Sequence, residues 1–243
     1  MIKGLYTSAS GMLPRIKKQE LTAHNISNVS TPGYKRDMLF TKELSRAEKK
    51  LIPTRTDWHQ PMVNETYTDF ASGTFDKTGN PLDLAIDGDG FFTLELADGT
   101  QALTRSGSFT INNEGFMVFP GGAFLLGEGG PIEAGNGKVT VDQSGGVEVD
   151  GSAVGRIVPV TVDDLQSLNK IGNSLFLVPE GVELIPVTQA EIRQGYLEAS
   201  NVDVVGEMIE MIVSFRAYEA NSRALQAQDR SLEHLFQRVG KTG

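Results

Sequence analysis

Apolar positions follow three different patterns along the chain. In the first, Leu5, Ala9, Met12, Ile16, Ala23 and Ile26 recur at alternating steps of four and three, with Gln19 in the vacant slot. This heptad spacing predicts a helix from Leu5 to about Ser27 that packs along another helix. Pro14 predicts a kink within it and Gly11 a local weakening, and a helix of this length is marginal on its own. The pattern stops at Asn25-Ile26-Ser27-Asn28-Val29-Ser30-Thr31-Pro32-Gly33. Asn28 is a candidate left-handed C-cap, and Pro32-Gly33 suit the two central positions of a type II turn. Asn25, Asn28, Pro32 and Gly33 are therefore the candidate turn residues, and a helix stop accounts for all of them without any further role.

The second pattern has period two and runs from about Gly79 to Val187. Leu82, Leu84 and Ile86 alternate with Asp83, Ala85 and Asp87, and Gly88-Asp89-Gly90 then turns the chain into Phe91–Leu96. Further turn signals fall at Asp98-Gly99, Asn112–Gly115, Pro120-Gly121-Gly122, Ser144-Gly145-Gly146 and Asp150-Gly151, the spacing of an all-β sandwich or barrel. Between the helix and this region, Lys42–Phe75 contains Pro53 and Pro61 and little periodicity, which predicts an extended or irregular linker.

The third pattern is the strongest. Val204, Met208, Met211, Phe215, Tyr218, Ser222, Leu225, Asp229, Leu232, Phe236 and Val239 alternate steps of four and three without a proline. Val205, Ile209, Ile212 and Leu235 widen the stripe. A helix from about Val202 to Val239 spans on the order of 55 Å, a length that suits a coiled coil or bundle rod. Ser200 as N-cap with Asp203 three residues on resembles a capping box. The expected fold class is thus mixed α and β: an all-β central domain flanked by N- and C-terminal helices that form a coiled-coil layer. The expected domains are 1–35 with 195–243 as the helical layer, 36–78 as a linker over the body, and 79–194 as the β domain. The exposed stripe is wider than one helix covers, which points to partners of the same kind. Its candidate assembly residues are Leu5, Ala9, Met12, Ile16, Ala23 and Ile26, with Val204, Met208, Met211, Phe215, Tyr218, Leu225, Leu232 and Phe236.

Composition narrows the chemistry. No cysteine is present, which removes disulfides, thiolate metal sites and cysteine nucleophiles. His24, His59 and His234 are far apart and lack ligand spacing. Net charge is −9 in total, with +7 over residues 1–55 and −16 over the rest. The basic arm lacks the aromatic-interleaved clustering of a nucleic-acid groove. No apolar run approaches the about eighteen residues of a membrane span, and Met1–Ser8 has no continuous apolar h-region, so no cleavable secretory signal is expected. Asp87-Gly88-Asp89-Gly90 begins like a calcium loop, but Phe91 stands at the third acidic position. Gly127–Gly130 lacks a dinucleotide fingerprint, and no catalytic constellation emerges. We therefore expect no enzyme activity, metal or cofactor. The competing expectation is a secreted, oligomeric β module that binds carbohydrate or calcium.

Several segments together resemble the family of flagellar basal-body rod and hook proteins. They are Asn25–Arg36, Pro81–Phe92, Thr104-Arg105-Ser106-Gly107-Ser108-Phe109 with Leu126-Gly127, and Gly195–Asp203 followed by Arg216-Ala217-Tyr218-Glu219-Ala220-Asn221. Each is weak alone, but their order is specific and covers nearly the whole chain. Gly155-Arg156-Ile157-Val158-Pro159-Val160 and the absence of large insertions look most like the proximal-rod branch, with the distal-rod branch next. The resemblance implies a structural, torque-transmitting axial subunit that assembles through both terminal helices with copies of itself and neighbouring rod and hook subunits. It also implies delivery by the flagellar export apparatus without signal cleavage, and a place in the basal body across the periplasm. Pro14 departs from the family pattern.

Overall fold

The computed structural model describes residues 2–44, 60–135 and 137–239, and side chains for 9–40, 66–135, 137–234 and 237. The architecture is mixed: a mostly β central region with an N-terminal helix, α1 (Ile2–Ser27), and a C-terminal helix, α2 (Val204–Val239). The chain forms two compact units that interleave in sequence. One comprises Met1–Ser27, Asp37–Thr68 and Asp203–Gly243; the other comprises Asn28–Arg36 and Asp69–Val202.

In the first unit, α1 passes Pro14 without a break, and Pro14 itself is buried. Helix α2 begins two residues later than its sequence pattern suggests. Asp203, not Ser200, caps it: its carboxylate accepts from the Val205 amide at 3.1 Å and its carbonyl from Glu207 at 2.9 Å. Ser200 Oγ instead accepts from the Val202 amide. The expected irregular linker is in part a ribbon. Strands β1 (Asp37–Leu44) and β2 (Gln60–Thr68) pair antiparallel from Asp37↔Thr68 to Leu44↔Gln60, with a register shift at Phe40/Thr41. Such a ribbon has no core of its own to impose a period of two, and Pro61 is tolerated because β2, among the described residues, pairs on one side only. The stretch 45–59 of that linker lies outside the described residues.

The second unit is built on an antiparallel eight-stranded sheet. Its order is Asn169–Gly172, Leu175–Leu177, Gln101–Thr104, Phe92–Glu95, Phe124–Gly127, Met117–Val118 and Thr110–Ile111, with Gly130–Pro131 beside Phe124–Gly127. Both faces are covered. Phe92, Leu94, Phe109, Met117 and Leu125 join one buried cluster, while Phe91, Leu103 and Phe176 join another. Phe92 and Phe109 meet edge to face at 5.4 Å, and Phe70, Phe91 and Phe176 stand 5.3 to 5.9 Å apart.

Most turn signals act as their residue types require. Asp150-Gly151, with φ of 51° and 83°, links Gly146–Val149 to Ser152–Arg156 as a two-residue hairpin turn. The alternation at Leu82–Asp87 behaves differently. Leu84, Ala85 and Ile86 are all fully buried, and the Asp83 carboxylate is buried too, accepting from Thr78 Oγ1 at 2.6 Å and Asn80 Nδ2 at 3.0 Å. Packing on both faces overrides the half-exposed strand that alternation predicts.

Truncating Phe92 to Ala removes a ring with no solvent exposure, with an expected cost of about 3–5 kcal/mol. Chemical denaturation followed by far-UV circular dichroism measures this loss.

Candidate functional site

Within the first unit α1 and α2 lie antiparallel, and several polar contacts cross the seam between them. A Cβ at Gly11 would stand 3.2 Å from Asn221 Nδ2, Ser214 Oγ donates to the Arg15 carbonyl at 3.4 Å, and Lys18 pairs with Glu210. Asn25 donates to Glu207 Oε1 at 3.2 Å. Thr22, Asn25 and Ser214 are buried here. The glycine that weakens α1 in isolation thus stands where α2 comes close.

The heptad is present, but rotated. Val204, Met211, Tyr218, Ser222, Leu225 and Leu232 are half-buried, as are Gly206, Glu207, Ala217, Glu219, Asn221 and Gln228, and Ser214 is buried. Met208 (51%) and Phe215 (54%) are exposed instead, together with Val205, Ile209, Ile212 and Val213, all above half exposure. On α1, Ala9, Ile16 and Ala23 are exposed and Met12 and Ile26 half-buried. Leu13 is 67% exposed. The side chains of Leu5 and Phe236 lie outside the described residues. An apolar face is therefore left open on α2. Beside it is a groove of about 490 Å³, lined by Gln19 and Ala23 of α1 and by Met211, Ile212, Phe215, Arg216 and Glu219 of α2. Covering a side chain such as Phe215 or Ile212 is worth on the order of 1.5–3 kcal/mol.

The turn motif divides between the two units. Asn25 belongs to the last turn of α1, where its amide accepts from the Asp37 N–H at 3.0 Å and donates to the Asp37 carbonyl at 2.9 Å, holding the start of β1. Asn28 does not adopt positive φ, so it is not a left-handed cap. Its carbonyl accepts from the Thr31 amide at 3.0 Å instead. Pro32-Gly33 forms the expected turn: Gly33 has φ 65°, and the Tyr34 amide reaches the Thr31 carbonyl at 3.3 Å. A Cβ at Gly33 would lie 2.2 Å from the Ser106 nitrogen, so the turn is docked where only glycine fits.

Sequence reasoning did not find the charged group that follows this turn. Lys35, Glu198 and Arg105 are 1%, 0% and 3% exposed. Lys35 Nζ donates to Glu198 Oε1 at 2.6 Å and to the Ala71 carbonyl at 2.8 Å, and the Gly73 amide donates to the same carboxylate oxygen at 3.0 Å. Arg105 stands 3.5 Å from Glu198 Oε2, donates to the carbonyls of Ile86 and Gly88, and lies over the Phe91 ring. Burial lowers the Lys35 ammonium from its ordinary value, against the opposing attraction of Glu198, and burial likewise lowers Arg105. The domain boundaries read from the pattern shift for this reason: Asn28–Arg36 and Tyr196–Val202 belong to the β unit, to which these bonds tie them. The only signal in the sequence is that two of the three charges precede small residues, Arg105 before Ser106-Gly107-Ser108 and Glu198 before Ala199-Ser200.

Among the described residues no cluster of His, Asp or Glu has the arrangement of a metal site. Asp87 pairs with Arg193. Among the described residues no helix is long and apolar enough to cross a membrane.

Glu198→Gln leaves two buried cations without a counter-charge, and we expect it to lower stability by about 3–5 kcal/mol. In a double-mutant cycle, Lys35→Met combined with Glu198→Gln should cost less than the sum of the single changes, measured by urea denaturation.

Three family models match in chain order: "Flagella basal body rod protein" over residues 5–35, "Flagellar hook protein FlgE/F/G D1 domain" over 85–149, and "Flagellar basal body rod FlgEFG protein C-terminal" over 193–238. The flagellar basal-body rod protein FlgF of Caulobacter vibrioides is 34% identical over 99% of both chains. FlgG of Borreliella burgdorferi is 34% identical over 96% of this chain and 97% of its own. The flagellar hook-basal body complex protein FlhO of Bacillus subtilis is 28% identical over 99% of this chain and 100% of its own. With this likeness extending along its full length, the chain belongs to the flagellar basal-body rod protein family and is a structural subunit of that rod.

Proposed function

We propose that the subunit assembles through its terminal helices, with the open apolar face of α2 as the main contact surface. The observation that supports this is the exposure of Val205, Met208, Ile209, Ile212, Val213 and Phe215 on one helix. An apolar face this continuous needs a partner to exclude water. Side chains of heptad spacing suit helices of neighbouring subunits, packed as a coiled-coil layer around the axis. The groove beside Met211 and Phe215 offers a recess for a side chain of such a neighbour.

The neighbours are copies of this chain and other rod and hook subunits, and the assembled layer transmits torque along the rod. Assembly residues on α1 are Leu5, Ala9, Met12, Ile16, Ala23 and Ile26. On α2 they are Met208, Met211, Phe215 and the half-buried line Val204, Tyr218, Leu225 and Leu232, with Phe236 beyond. Delivery is by the flagellar export apparatus without signal cleavage, to the basal body across the periplasm. The role is non-enzymatic and uses no cofactor.

Phe215→Asp and Ile212→Asp change exposed side chains, so each should leave the monomer's denaturation midpoint within about 0.5 kcal/mol of wild type. In cells whose only copy is the variant, both should block rod completion, scored by electron microscopy of basal bodies and by loss of swimming. Complete rods with either variant would refute the surface.

A further inference from the structure

The chain passes between its two units four times, after Ser27, Arg36, Thr68 and Val202. Within the β unit, the ends of three passages meet at one side chain. The Asn201 N–H donates to the Tyr34 carbonyl at 3.4 Å, and Asn201 Oδ1 accepts from the Arg36 amide at 2.8 Å. Asn201 Nδ2 donates to the carbonyls of Asp69 at 2.8 Å and Ala71 at 3.1 Å. Arg36 and Asp69 are joined twice more: the Asp69 amide donates to the Arg36 carbonyl at 2.9 Å, and Arg36 Nε to Asp69 Oδ2 at 3.0 Å.

These are not local loop bonds. The side-chain partners of Asn201 are 130 to 165 positions away in sequence. A carboxamide is the group this node requires, because it offers one acceptor to an amide and two donors to two carbonyls. No strand is formed at Asp69–Thr74 or at Ala199–Asp203; the β1–β2 ladder stops at Asp37↔Thr68 and that of Phe75–Lys77 with Tyr196–Glu198 at Phe75↔Glu198, and the Asn201 bonds are made beyond both.

We infer that Asn201 is a positioning residue that fastens the Arg36, Asp69 and Val202 ends of the chain into one cooperative clasp, none of which releases without the others. A pull on either terminal helix then reaches the β core through several strands at once, and no single segment peels away first. This mechanical consequence rests on the rod reading above, whereas the clasp itself does not.

The test is native-state hydrogen exchange on the full-length monomer, comparing wild type with Asn201→Asp. The carboxylate keeps an acceptor for the Arg36 amide but sets oxygen against the Asp69 and Ala71 carbonyls. The expected result is a fall in protection of about 10-fold or more at the Gly33, Arg36 and Asp69 amides together, with Leu94 and Leu125 unchanged. A change confined to Asp69, or no change, overturns the clasp. Should Leu94 and Leu125 also lose protection, Asn201→Ala, which adds no charge, decides by the same criterion. In cells, Asn201→Asp should leave flagellar number normal and make swimming speed fall more steeply than wild type as viscosity is raised. Equal viscosity dependence overturns the mechanical consequence, whereas normal flagella in cells lacking the chain altogether would overturn the rod reading instead.

Discussion

Helix α2 carries apolar side chains around more of its circumference than one neighbouring helix covers, and much else in the molecule follows from that constraint. Val205, Met208, Ile209, Ile212, Val213 and Phe215 are exposed, and the helix that lies beside α2 covers a different face. The seam that α1 does cover is set by Glu207, Ser214 and Asn221 against Asn25, Arg15 and Gly11. Polar contacts of this kind gain little net energy, because each replaces bonds to water. They are directional, however, and fix which residues face each other. The helix pair thus has directional polar contacts across its seam, and an apolar face of α2 stays exposed beside it.

The β unit meets the opposite requirement. Its sheet is buried on both faces, and it encloses a carboxylate, an ammonium and a guanidinium. Burying such a group adds little stability by itself, but losing one member is costly. Glu198 therefore makes the attachment of the Thr31–Arg36 turn all-or-none. It binds Lys35 by its side chain and Gly33 by its backbone, the latter at 2.7 Å, and Gly33 docks only because it has no side chain. A segment that reads as the tail of the first helix is for this reason part of the β unit.

Much of the architecture was legible in the sequence. Both helices, their heptad spacing, the Pro32-Gly33 turn and the hairpin at Asp150-Gly151 were visible because each depends on local geometry. The face that α2 presents to α1 was not. Its apolar stripe was wide enough to admit two rotations, and the choice fell to polar residues that pattern analysis discounts. The β1–β2 ribbon was missed because it has no core to imprint a period on it. The cap at Asp203 displaced Ser200 because two candidate residues stood within one turn. Lys35, Arg105 and Glu198 were hidden for another reason: charged residues are read as solvent-facing, and only the fold brings these three together across 163 positions.

The most direct test of the account compares the accessibility of single cysteines in the free subunit and in the rod. The chain has no cysteine of its own, so Ile212→Cys and Ser214→Cys each introduce one reactive thiol. The account predicts that a maleimide labels position 212 rapidly in the monomer and fails to label it in purified basal bodies, while position 214 is slow in both. Equal labelling of position 212 in monomer and basal body would contradict the claim that this face is what the subunit assembles with.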